Sequence, residues 1–144
     1  MEPIPKAGAT SLLKRGYTDD EIDQIYELGR LSLANGNLRT AEGIFEGLTQ
    51  VAPDYSPAWL GLAYVGIYRG NIDSAVFASR QALRIDPHFP EALLYLASCL
   101  MSSGDYNSAG THLGEVAEQI ESGQIDDPSV QRFYRIQLAR FQNR

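Results

Sequence analysis

Three glycines stand at equal intervals in this chain: Gly36, Gly70 and Gly104, each 34 residues from the next. Ala41, Ala75 and Ala109 keep the same step, and so do Pro53 and Pro87. A period of this length marks a supersecondary unit copied along the chain. Ahead of each glycine runs an apolar stretch at helical spacing, in which Ile25, Leu28 and Gly29 are matched by Trp59, Leu62 and Ala63 and then by Leu93, Leu96 and Ala97. The unit is therefore two helices joined by a tight turn. Glycine suits the left-handed end of the first helix, and Asn37, Asn71 and Asp105 suit the cap of the second. Small residues on both helices let them approach closely. In this pattern Trp59 is expected in the core, as large apolar residues at helical spacing usually are.

The pattern resembles the tetratricopeptide repeat, with three copies over residues 22–55, 56–89 and 90–123. It predicts an all-α fold, a right-handed superhelical solenoid of three helix-turn-helix repeats. The segment "YTDDEI" reads as the start of the first helix, with Thr18 and Glu21 as a capping box and Tyr17 and Ile22 as a hydrophobic staple. Asp127 and Pro128 suit an N-cap and first helical position. Val130, Phe133, Tyr134, Leu138 and Phe141 then form the apolar stripe of a closing helix over 128–142. The repeat domain spans 18–144. Residues 1–17, with Pro3, Pro5, Gly8 and Gly16, read as an arm with a short helical turn at Ser11 to Arg15. Apolar Leu12, Leu13 and Tyr17 make the arm, or the first repeat, the expected dimerisation segment.

Composition narrows the function. Eighteen acidic against twelve basic side chains give a net charge of −6, which argues against nucleic acid and anionic lipid as partners, because both need a cationic face. No apolar run approaches the roughly 20 residues that span a bilayer, so membrane insertion is not expected. The lone Cys99 cannot form an intramolecular disulfide, and the first residues hold no signal-like apolar stretch; both point to the cytoplasm. His88 and His112 lie 24 positions apart without metal-site spacing, and no nucleophile elbow, phosphate loop or dinucleotide fingerprint occurs. Cys99 reads as a small buried residue, and Asp19, Asp20, Glu21 and Asp23 as first-turn charges complementing a helix dipole. No catalytic residue, cofactor or metal is expected, and binding is left as the work of the chain.

In stacked repeats the first helices line a concave face. Positions one step round from Ile25, Trp59 and Leu93 give a candidate peptide-binding groove: Tyr26, Arg30 and Leu33, then Leu60, Tyr64, Ile67 and Tyr68, then Leu94, Tyr95 and Met101. An aromatic and aliphatic concavity of this kind accepts an extended peptide. A clamp for a C-terminal carboxylate would need several basic residues on the first helices, and only Arg30 is basic there.

The run from Ile25 to Leu83, "IYELGRLSLANGNLRTAEGIFEGLTQVAPDYSPAWLGLAYVGIYRGNIDSAVFASRQAL", in a chain with a short arm and one terminal helix, resembles the class II type III secretion chaperones of Gram-negative bacteria. The resemblance implies that the groove holds an extended segment of a secreted translocator and keeps it from aggregating. Tyr26 matches a groove tyrosine of that family, whereas Arg30 and Leu33 stand where members often carry further aromatics. The alternative is a repeat scaffold or co-chaperone that binds another secretion component or a generic peptide partner.

Overall fold

Gly36, Gly70 and Gly104 take φ of +78°, +75° and +87°, the left-handed backbone that lets the chain turn back at the end of a helix. The amide two residues past each C-cap then reaches back five residues: Asn37 to the Ser32 carbonyl, Asn71 to Gly66 and Asp105 to Leu100, all at 2.8 Å. One turn is thus built three times, and it fixes the same helix-to-helix geometry in each unit. The computed structural model describes residues 16–144. The expected arm and its helical turn at Ser11 to Arg15 fall almost wholly outside the described residues.

Among these residues there are seven α-helices and no strand: α1 Asp19–Ala34, α2 Leu38–Val51, α3 Ser56–Tyr68, α4 Ile72–Ile85, α5 Pro90–Ser102, α6 Tyr106–Glu121 and α7 Pro128–Gln142. The caps follow local chemistry. Thr18 and Glu21 exchange both bonds of the capping box. Asn71 accepts from Ser74 N–H and Asp105 from Ser108 N–H. Asp127 accepts from Ser129 N–H, and that bond holds its carboxyl below the ordinary range. Asn37 occupies the cap position of α2 but makes no side-chain cap bond.

Each helix packs on its sequence neighbour, and α1, α3, α5 and α7 also touch in series, forming one wall of the solenoid. Ala41, Ala75 and Ala109 are fully buried at the helix crossings. A methyl group at Gly66 would come within 2.9 Å of the Ala75 backbone nitrogen, which shows how tightly α3 and α4 cross. The core has two clusters. One gathers Ile22, Phe45, Leu48 and Val65 around the first unit. The other gathers Leu93, Leu94, Leu96, Leu100, Leu113 and Val116 around the third, under Val130, Phe133, Tyr134 and Phe141 of α7.

Equivalent positions are buried to different depths. Leu28 is 57% exposed, Leu62 is half-buried, and Leu96 is only 2% exposed. The physical reason is position in the stack: α5 is enclosed by α3, α4, α6 and α7, whereas among the described residues α1 packs against α2 and α3 alone. Trp59 departs from expectation for a related reason. It is half-buried, not core, and sits edge-on to the exposed Phe77 at 6.0 Å, with its Nε1 donating to the Pro53 carbonyl at 3.0 Å. The indole is wide and carries a donor that needs a partner, and the α2–α3–α4 junction offers that partner at the surface. Cys99 is buried on α5, and burial pushes its thiol upward.

Candidate functional site

Phe45 of α2 is the largest fully buried side chain, and two glycines make room for it. A Cβ on Gly29 would lie 2.5 Å from the ring, and a Cβ on Gly61 would lie 2.6 Å from it. The ring therefore lies between α1 and α3 and backs the floor of a recess of about 260 Å³. Tyr26, Arg30, Leu33 and Ala34 of α1, Leu60, Gly61 and Tyr64 of α3, and Tyr95 of α5 complete its lining.

Six of the ten expected groove residues thus converge on one recess: Tyr26, Arg30, Leu33, Leu60, Tyr64 and Tyr95. Tyr68, 70% exposed, stacks on Tyr64 with centroids 6.3 Å apart and planes 26° from parallel. Ile67 is half-buried beside them on α3. Leu94 and Met101 are corrections. Both are buried in the third-unit core and line no groove, because α7 covers α5 and turns positions that are open in the first repeat into interior ones.

Phe45 and Phe133 are the site residues that sequence reasoning missed. Tyr95 lies 6.3 Å from Tyr64 and 5.3 Å from Phe133, and Tyr26 lies 5.8 Å from Phe45 and 5.9 Å from Tyr55. The first set makes a run of four rings from Tyr68 on α3 to Phe133 on α7. Such offset and edge contacts hold aromatic side chains in fixed orientations. The available signal was the pair Gly29 and Gly61, whose missing side chains leave a gap that only a large residue from α2 can fill.

Burial raises the phenols of Tyr26 and Tyr95 above their ordinary values, so both stay neutral hydrogen-bonding groups. At Tyr26 the nearby Arg30 guanidinium partly offsets that effect, and at both rings the Glu91 charge adds to it. Tyr55 donates to Asp23 at 2.7 Å, tying the start of α3 to α1. The recess is therefore apolar at its floor and rimmed by phenols, with the exposed Arg30–Glu27 ion pair at its α1 edge. Among the described residues no group of three His, Cys, Asp or Glu side chains could hold a metal, and no helix is long and apolar enough to cross a membrane.

Two family models, each described as tetratricopeptide repeat, match residues 26–79 and 66–122, together more than half of the chain. The chain belongs to the tetratricopeptide repeat proteins. Among solved structures, its fold resembles that of the type III secretion translocator chaperones. The chaperone SycD of Yersinia enterocolitica superposes with a TM-score of 0.77 at 20% identity, covering 95% of this chain and 98% of that one. SycD in complex with a peptide of the translocator YopD gives 0.72 at 21% identity, covering 87% and 95%. By sequence, a peroxisomal targeting signal receptor of Eremothecium gossypii is 32% identical over 116 residues, which is 80% of this chain and 20% of the receptor. The chain spans about a fifth or less of the length of the curated relatives it matches.

Proposed function

We propose that the chain is a non-enzymatic chaperone that holds an extended segment of a secreted, translocator-type client in its groove and keeps it from aggregating before secretion, in a bacterial cytoplasm. The observation that carries this reading is the aromatic recess on the α1–α3–α5 wall, where Tyr26, Tyr64 and Tyr95 surround a floor made by Phe45. Rigid aromatic pockets are where extended peptides anchor apolar side chains. The fold shared with a chaperone solved in complex with a translocator peptide supports the choice of client. Tyr64→Ala and Tyr95→Ala should each cost about 1–3 kcal/mol of affinity for a translocator's chaperone-binding segment, measured by calorimetry. Variants that melt early yet bind that segment normally at low temperature would make these tyrosines packing residues and end the reading.

The 32% identity to a peroxisomal targeting signal receptor favours one alternative, a repeat scaffold or co-chaperone for another secretion component or a generic peptide. Equal binding of a translocator segment and of unrelated apolar peptides of the same length selects it.

Self-association belongs to the same reading, with two copies paired through residues 1–17 or the first repeat. The outer side of α1 exposes Leu28 and Leu31. Tyr17, Ile25, Ile44 and Val51 rim a recess of about 260 Å³ where α2 presents Gly43 and Gly47. A Cβ added at either glycine would meet nothing within 4 Å, so another helix can come close there. Light scattering should give twice the chain mass, falling when residues 1–17 are removed. A monomer in both forms contradicts the pairing.

A further inference from the structure

We infer that Arg30 makes the groove selective for client segments that carry a carboxylate next to the apolar side chain seated over Phe45. This rests on the groove reading above and adds the chemistry of what the groove prefers. Two observations carry it. First, Arg30 is the only charged side chain among those lining the recess, and the rest of the lining is apolar or phenolic. Second, its guanidinium is held at the rim rather than buried: Nη1 donates to both oxygens of Glu27 at 3.0 and 2.9 Å, and the two side chains are 58% and 55% exposed. Among the described residues, Nη2 and Nε have no acceptor, so one edge of the planar fork stays open to a second carboxylate. An exposed pair three residues apart on one helix is weak, so Glu27 does not compete strongly with an incoming carboxylate held in place by its neighbours.

The composition of the preferred segment follows from this placement: a client residue on the α1 side of the recess meets the open edge of the guanidinium, while the rest of the lining offers apolar and phenolic surface.

The test uses the full chain and three synthetic ten-residue peptides, identical except that the residue beside a central leucine is Asp, Asn or Lys. Fluorescence anisotropy at low salt should show the Asp peptide binding at least about fivefold more tightly than the Asn peptide, with the Lys peptide weakest. In Arg30→Gln the Asp-over-Asn ratio should fall to about one, and in Arg30→Glu the order should reverse in favour of Lys. Circular dichroism melts of both variants separate lost folding from lost selectivity. Equal binding of Asp and Asn peptides to the native chain, or a preference that survives Arg30→Gln, overturns the inference while leaving the groove reading intact. Absence of binding by all three peptides removes both.

Discussion

Replacing Phe45 with alanine should lower the stability of the chain by about 3–5 kcal/mol, the range for truncating a large, fully buried aromatic side chain. The site cannot relax to close the gap, because the residues facing the ring on α1 and α3 are Gly29 and Gly61, which have no side chains to move into it. The loss would be read as a lower midpoint in urea or thermal melts followed by circular dichroism. Trp59→Ala is the comparison that makes the result specific: that ring is larger but half-buried, and its aromatic neighbour Phe77 is itself exposed. Its removal should cost about 1–2 kcal/mol, typical of a substitution that leaves no closed cavity. Equal losses at the two positions would refute the assignment of Phe45 as the plug between α1 and α3.

Ending the chain after Gly123 should abolish cooperative folding of the third unit. The deletion removes Ile125 and Val130, both buried, with the half-buried Phe133, Tyr134 and Phe141 that pack against the core of the third unit. It also removes Arg140, which reaches from α7 to the hydroxyls of Ser98 and Ser102 on α5 at 3.0 and 2.8 Å. Burying one apolar side chain fully contributes about 1.5–3 kcal/mol, so two buried and three half-buried residues amount to something on the order of 5–10 kcal/mol. That is comparable with the whole stability of many domains, about 5–15 kcal/mol. Residues 1–123 should aggregate or melt without a clear transition. A soluble fragment with undiminished helicity and a sharp melt would show that the solenoid does not need its closing helix.

The helices and turns were legible because a 34-residue step repeats residues whose roles are backbone roles. Glycine at 36, 70 and 104 has one conformational reason to be there, and the structure gives all three the same positive φ. Burial was less legible, because it depends on what lies across from a position rather than on the position itself. Leu94 and Met101 occupy first-helix positions that would face the groove if every repeat had the same surroundings, but α7 closes over the third repeat alone. Phe45 left no periodic trace: one and two steps on stand Ser79 and Leu113, while the Gly61 that accommodates it gives way to Tyr95. A large residue on the second helix with a small one on the next first helix is exchanged, one repeat later, for a small one followed by a large one. The sum is kept while the identities are not, so a search for repeated letters passes over it. Ser79 bears a mark of that exchange, being fully buried with a hydroxyl that has no hydrogen-bond partner.

The single cysteine turns the molecule into its own clock. Cys99 is sealed inside α5, close enough to α7 for the Arg140 charge to act on its thiol, and burial keeps that thiol protonated. A thiol-directed reagent needs both access and the thiolate, and the closed fold denies it both. The rate of labelling at this one sulfur atom therefore counts how often the C-terminal end of the solenoid opens. Because no second cysteine exists in the chain, every modified molecule records the same event.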